Sequence, residues 1–342
     1  MNAPTFMQQE IAGIPDAVAT FLDRSAAAIE RAGRRLRDKD PALIATVARG
    51  SSDHAANYLK YAAELSAGIP VASLGPSIAS IFGARLKLDR AACIAISQSG
   101  KSPDIVKMAE TAREGGAFTV ALTNTAGSPL AETCDEVIDI LAGAEHSVAA
   151  TKTFVNSVVA GLALLAECTR DDRLRHALAA LPDQLETARN CDWSMLCEAT
   201  DDHDSLFILG RGPSLAIAGE AALKFKETSS VHAEAYSSAE VMHGPVSIVG
   251  SGFPVLALAA RDAAENSIAG AADELGAKGA AVFLTSDAAS PARQLPFAAT
   301  GHTLTDPLAL IVSFYAFIEA FARRRGLDPD RPAHLHKVTE TR

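Results

Sequence analysis

The sequence predicts an α/β protein built as two doubly wound parallel sheets in tandem, each flanked by helices. Three observations carry that prediction. First, a strand–turn–helix pattern occurs twice. LIATVARGSSDHAANYLKYAAEL, from Leu43, reads as an apolar strand, a small-residue turn and an amphipathic helix. LFILGRGPSLAIAGEAALKFKE, from Leu206, reads the same way. Second, each copy continues in the same order. ACIAIS at Ala92 and PVLALAA at Pro254 are second strands; FTVALTN at Phe118 and AAVFLTS at Ala280 are third strands, each after a helix. Apolar runs of this length alternating with helical periods are parallel strands in βαβ units. Third, alanine and glycine are abundant and aromatics make up only 5%. That composition suits close packing of helices on sheets.

A repeat of well over a hundred residues is a domain duplication rather than a solenoid. The chain of 342 residues accommodates two domains of ordinary size. Residues 1–38 form a helical lead-in, with Pro15–Lys39 helical. The first domain is expected over 39–185 and the second over 199–328, with the boundary in the stretch Asp183–Ala199 and a last helix at Pro307–Arg325. Residues 329–342 form a polar tail, read either as a loose terminus or as a functional arm.

Composition excludes several classes. The net charge is −10 and there is no basic stripe, which argues against a nucleic-acid partner. An anionic substrate stays compatible, because backbone N–H groups and hydroxyls hold phosphate whatever the global charge. The cysteines are Cys93, Cys134, Cys168, Cys191 and Cys197; the number is odd and none forms a CxxC pair. Structural thiols in a reduced, cytoplasmic setting are expected. The start, MNAPTFMQQEIAGIPDAV, has acids and no apolar core, so no signal peptide is expected. No apolar run is long enough to span a bilayer.

Ser97-Gln98-Ser99-Gly100-Lys101-Ser102 follows the strand at Ala92 directly, and Ser102-Pro103 is a helix-start signature. A hydroxyl-rich loop aimed at a helix N-terminus, at the carboxyl end of a parallel strand, is a ready anion site. An ordinary capped turn explains the same residues equally well. Arg49-Gly50-Ser51-Ser52 places a second hydroxyl loop at the same sheet edge. Neither it nor Gly210-Arg211-Gly212-Pro213-Ser214 has dinucleotide spacing, and there is no P-loop. Glu220, Lys224 and Glu227 stand at i, i+4 and i+7, on one helix face. They form either a solvated salt-bridged face or a proton-transfer site. His232, Glu234, Tyr236, Glu240 and His243 crowd the next segment. No histidine pair has zinc spacing, His334 and His336 included; no metal and no organic cofactor is expected.

Taken together these residues resemble the isomerase half of glucosamine-6-phosphate synthase, and the resemblance covers nearly the whole chain. It runs through Met7–Ile11, Arg49–Ser52, Ser97–Gly100, Ala149-Ala150-Thr151-Lys152, Glu220–Glu227, His232–Tyr236 and Glu240–Pro245. The family fold is two tandem SIS (sugar isomerase) domains, usually in a homodimer. The resemblance implies that Ser51, Ser97, Gln98, Ser99 and Ser102 hold a sugar phosphate, with Ser52, Val148 and Ala150 as further substrate-binding positions. It assigns Glu227 as the base between C1 and C2, with Lys224 and Glu220 beside it. His243 is implied in ring opening across the dimer interface, and Lys337 as a Schiff-base lysine, which makes the tail a catalytic arm. Two departures stand out: Ala150 replaces a serine, and the tail after Lys337 is one residue shorter than usual.

The sequence begins Met1-Asn2-Ala3 and reaches the isomerase-like part at once, without the family's glutaminase domain. The expected reaction is therefore deamination of glucosamine 6-phosphate to fructose 6-phosphate and free ammonia. A fructosamine-6-phosphate deglycase stays open, because pocket volume is not legible in sequence. A sugar-phosphate sensor is disfavoured by the lack of an output module, and a plain aldose–ketose isomerase by Lys337.

Overall fold

In the computed structural model, which describes residues 3–288, 290–335 and 337, every strand pairing among the described residues is parallel. The chain opens with three helices, α1 (Phe6–Ala12), α2 (Ile14–Arg24) and α3 (Ala26–Lys39). It continues through β1 (Leu43–Val47), α4 (Ser51–Ser66), β2 (Val71–Ser73), α5 (Ser77–Ser80), β3 (Ala91–Ile96), α6 (Pro103–Glu114), β4 (Phe118–Thr123), α7 (Pro129–Thr133) and β5 (Glu136–Asp139). Helices α8 (Lys152–Thr169), α9 (Asp172–Ala188) and α10 (Ser194–Thr200) follow. The second half holds β6 (Ser205–Gly210), α11 (Pro213–Ser229), β7 (His232–Ser237), β8 (Pro254–Ala257), α12 (Glu265–Ala277), β9 (Ala281–Leu284), β10 (Arg293–Gln294) and α13 (Asp306–Arg324).

The contacts divide the chain into two compact units. One contains Asp16–Glu145, Lys152–Ala179 and Lys337; the other contains residues 3–15, His146–Thr151 and Ala180–Leu335. Each unit has its own five-stranded sheet. The first has strand order β2-β1-β3-β4-β5 and the second β7-β6-β8-β9-β10, the same topology twice. The duplication reaches the backbone of the first turn. Gly50 ends the β1 turn at φ 55°, ψ −133°, and Gly212 ends the β6 turn at φ 61°, ψ −138°. Only glycine adopts that region without strain.

The six strands expected from apolar runs are all present, as β1, β3, β4, β6, β8 and β9. Four others, β2, β5, β7 and β10, lie toward the sheet edges and carry no such run. β3 and β4 are buried at every residue, whereas β5 alternates and β7 is mostly partly or fully exposed, with one buried residue. An inner parallel strand is covered on both faces and must be apolar throughout; an outer strand loses that requirement. His232–Tyr236, a crowded polar segment in the sequence, is the edge strand β7.

In the first unit, Ala45, Val47, Cys93, Ala95 and Ala121 of the sheet pack on Ile105, Met108 and Ala109 of α6. On α3 and α4 lies α8, apolar and buried along almost its whole length. Cys93 is fully buried; burial, and then the charge of Cys134, push its thiol up to about 12, so it behaves as an inert apolar side chain. All five cysteines are free. In the second unit α13 anchors α11. Phe225 of α11 meets Phe314, Phe317 and Phe321 of α13 at ring-centroid distances of 5.4, 5.9 and 5.9 Å. No helix among the described residues is long and apolar enough to cross a membrane.

Because Phe225 is fully buried in that aromatic cluster, Phe225→Ala is expected to cost about 3–5 kcal/mol of unfolding free energy. Urea denaturation of the purified variant measures it; a loss below about 1 kcal/mol would contradict the anchoring role of α13.

Candidate functional site

The order β2-β1-β3-β4-β5 reverses direction between β1 and β3, and ligands of open α/β sheets bind outside the strand carboxyl ends at such a switch point. Two loops flank it here: Arg49–Ser52 after β1, and Ser97–Ser102 after β3. They are tied together. Arg49 Nε donates to the buried carboxylate of Asp104 at 2.6 Å, from the β1 loop to the first turn of α6.

The β3 loop is a tight, preorganised cradle. Ser97 is buried and its Oγ accepts from Gly100 N at 3.2 Å; Ser99 Oγ accepts from Lys101 N at 3.3 Å. Gly100 has φ 61°, and its carbonyl accepts from Leu130 N at 3.0 Å. A Cβ at Gly100 would lie 2.0 Å from Ser128 Oγ, so only glycine closes this turn. Gln98 is held through its carbonyl, which accepts from Asn124 N at 3.1 Å. Ser102 occupies the N-cap position and Pro103 the first helical position, as their dipeptide predicts. The Ser102 hydroxyl makes no capping hydrogen bond, however. Ile105 N donates to Asp104 Oδ1 at 2.9 Å and Val106 N to Ser102 O at 3.0 Å, so the hydroxyls of this loop line a helix N-terminus capped from within its own first turn. Ser51 and Ser52 open α4, half-buried, and beside them burial pushes the Asp53 carboxyl above the ordinary aspartate value.

The other unit carries the acid–lysine–acid row on α11. Its solvated-face reading is overturned, because Glu220 and Lys224 side chains are 0% exposed and Glu227 keeps 20%. Lys224 Nζ lies 3.3 Å from Glu220 Oε1 and also donates to Glu227 Oε2. Tyr315 of α13 donates to Glu220 Oε1 at 3.0 Å, fixing the row from behind. Burial pulls the Lys224 ammonium down, but Glu220 and Glu227 together outweigh it, so the net shift is upward. Lys224 is a fixed cation at neutral pH, and Glu227 is the one member of the row that reaches solvent.

The remaining predicted groups are distributed over the two units. His243 stands exposed on the turn after β7, its N–H donating to Glu240 O at 2.9 Å. Burial, and then the hydrogen bond and charge of Glu234, push the Tyr236 hydroxyl up to about 12, so it stays a donor. Val148 and Ala150 are half-buried in the segment His146–Thr151, which is tied to the tail: Val148 N donates to Asp330 O at 3.3 Å. Asp330 in turn accepts from Phe6 N and Met7 N at 2.7 and 2.8 Å, capping α1. In the first unit Lys337 Nζ pairs with Glu145 at 3.0 Å. His336 and 338–342, including the shortened stretch after Lys337, lie outside the described residues. Among those described, no three His, Cys, Asp or Glu side chains are grouped to hold a metal ion.

Sequence reasoning missed three positioning groups: Asp104, Tyr315 and Glu145. Asp104 and Tyr315 lie far in sequence from the groups they orient, and no local pattern marks them. Glu145 offered one signal, an acid shortly ahead of a helix start.

Lys224 is where the site and the fold energetics meet. Its folded-state value is raised, so its stabilising contribution is complete below the unfolded lysine value of about 10.4 and disappears as pH rises through the folded value. Lys224→Ala leaves Glu220 buried without its cation and is expected to cost about 3–5 kcal/mol at pH 7. Denaturant unfolding across pH checks both: the wild-type minus variant difference should hold from pH 7 to 9 and shrink in more alkaline buffer.

The comparisons agree with this architecture. A family model described as SIS domain matches twice, over residues 38–167 and 201–322. Glutamine–fructose-6-phosphate aminotransferase [isomerizing] of Symbiobacterium thermophilum is 32% identical over 98% of this chain, which spans 57% of that relative's length. The structure of a protein assigned as a phosphosugar isomerase, from Silicibacter pomeroyi DSS-3, superposes with a TM-score of 0.93 at 59% identity, covering 96% of this chain and 100% of that one. The C-terminal domain of glucosamine-fructose-6-phosphate aminotransferase from Francisella tularensis gives 0.83 at 25% identity, over 97% and 99%. With two five-stranded parallel sheets of one topology, each coinciding with a family match, the chain belongs to the SIS domain family and carries the domain twice in tandem.

Proposed function

We propose that this chain is a phosphosugar isomerase that acts on an amino-sugar phosphate, converting glucosamine 6-phosphate and water to fructose 6-phosphate and ammonia. The observation that carries the reading is the α11 row: a lysine buried between two glutamates, with only Glu227 reaching solvent. Buried charge of this kind is costly for a fold and is characteristic of sites that move protons. The names of the relatives support the substrate class, since they specify isomerization, fructose 6-phosphate and phosphosugars.

In this reading the hydroxyls of Ser51, Ser52, Ser97, Ser99 and Ser102, with Gln98, hold the phosphate at the N-terminus of α6, and Val148 and Ala150 border the sugar. His243, exposed on its turn, serves ring opening in a second copy of the chain, which makes the working form a homodimer. Glu227 takes the proton from C2 of the open aldose and returns one to C1. Lys224, itself paired with Glu220, holds Glu227 in place. The product of the shift is an imine at C2. The Lys337 amine adds to it and displaces ammonia, and water then releases fructose 6-phosphate and free Lys337. Water is abundant and free ammonia dilute, so mass action favours release.

The test is to incubate purified protein with glucosamine 6-phosphate and follow ammonia and fructose 6-phosphate together. The expected result is stoichiometric appearance of both. Glu227→Gln should lower kcat at least a hundredfold with little change in KM, and Ser99→Ala should raise KM with a smaller effect on kcat. Full turnover by Glu227→Gln would overturn the assignment of the base. Tight sugar-phosphate binding with no product would replace the enzyme by a sensor. Turnover of a 6-phosphorylated fructosamine alone would make the protein a deglycase.

A further inference from the structure

Glu145 is a fully buried carboxylate for which the functional reading above has no use. It ends the loop that follows β5 and faces the first turn of α8. Glu145 Oε1 accepts from Thr153 N at 3.1 Å; Oε2 accepts from Thr153 Oγ1 at 2.7 Å and from Lys337 Nζ at 3.0 Å. The loop itself is clamped: Asn124 Oδ1 accepts from Ala142 N and Asn124 Nδ2 donates to Gly143 O, both at 2.8 Å. Lys152, the nearest other charge in that turn, points its ammonium to Ala144 O at 2.7 Å. An N–H of a helix first turn and a hydroxyl thus fix both oxygens of the carboxylate and favour its ionised form. The side chain of Lys337 is 27% exposed while that of Glu145 is 0% exposed. The Lys337 side chain thus keeps part of its surface at solvent while its carboxylate partner has none.

We infer that Glu145 is the anchor and proton partner of Lys337: it holds the amine and carries the proton that the amine must lose and regain. The inference rests on the Schiff-base reading of Lys337. With a ketose phosphate the steps balance as follows. The Lys337 ammonium gives one proton to Glu145 Oε2. The free amine forms a C–N bond to C2, and one N–H proton passes to the former carbonyl oxygen. Glu145 returns its proton to that oxygen, the C2–O bond breaks and water leaves. An iminium remains beside the Glu145 carboxylate, which neutralises its charge. The same pair serves the reverse step, in which water adds and Lys337 departs.

The test traps the iminium. Full-length protein is mixed with fructose 6-phosphate and sodium borohydride, which delivers hydride to C2, and the mass tag on the Lys337 peptide is followed with time. Wild type should be tagged at Lys337. Glu145→Gln keeps an oxygen to accept from Thr153 but cannot take a proton. It should be tagged at least tenfold more slowly at saturating sugar phosphate, with an unchanged half-saturating concentration and melting temperature. If Glu145 serves only to cap α8, the variant melts earlier and is tagged at the wild-type rate, which overturns the inference. Should Glu145→Gln fail to fold, Thr153→Val removes the hydroxyl that aims Oε2. Slower tagging at saturation supports the inference, and an unchanged rate sinks it. No tag at Lys337 in wild type overturns the Schiff-base reading itself, and this inference with it.

Discussion

A parallel sheet covered on both faces has room for polar chemistry only where its strands end. β3 and β4 are buried at every residue, so no hydroxyl or charge along them could meet a ligand. The first polar residue after β3 is Ser97, and from there Ser97–Ser102 supplies a run of hydroxyls and N–H groups. The strand order puts the neighbouring β1 loop beside it at the point where the sheet reverses direction. The candidate anion site follows from topology, and the residues in its loops decide what it holds. Gly100 shows how little freedom those loops have, since a single methyl there would collide with Ser128.

Among the described residues several charges are buried against the apolar rule, and those around the candidate site have partners in their own units. Asp104 has Arg49, Lys224 has Glu220 and Glu227, and Glu145 has Lys337. Pairs of this kind are poor stabilisers, because removal from water offsets most of the attraction. They do fix direction. Arg49 and Asp104 tie two loops together, Tyr315 and Lys224 both hold Glu220 while Lys224 also reaches Glu227, and Thr153 aims Glu145. Positional order of this sort is what transferring a proton between fixed atoms requires.

The two halves share a topology and differ in the side chains of their loops and helices. Their first turns have glycines in the same unusual conformation, and Arg211 reaches Ser267 of α12 much as Arg49 reaches α6. The loop after β8 is nevertheless Leu258-Ala259-Ala260, with no hydroxyl in place of Ser97 and Ser99. Its Arg261 lies over the ring of Phe297 at 3.8 Å, among Glu265 and Asp306. The second half instead places its charge inside α11: counted from Gly212 and Gly50, Glu220 and Lys224 stand where α4 of the first half buries Tyr58 and Ala62. Duplication repeats the backbone solution to covering a parallel sheet and leaves the loop and helix residues to diverge.

The sequence by itself determined the fold class, the inner strands and the serine loop with its helix start, because burial on both faces and the Ser-Pro dipeptide are local constraints written in consecutive residues. It did not reveal β2, β5, β7 or β10, edge strands that are not buried at every residue and so carry no apolar run. The spacing of Glu220, Lys224 and Glu227 gave one helix face and left its surroundings open. Whether that face met water or protein depended on Phe225 and on α13, about ninety residues later, whose aromatic side chains and Tyr315 close over it. The pairing of Glu145 was illegible for the same reason: its partner Lys337 lies 192 residues away. Which charges are buried, and what each one faces, is settled by contacts between distant segments, and only the tertiary structure makes them.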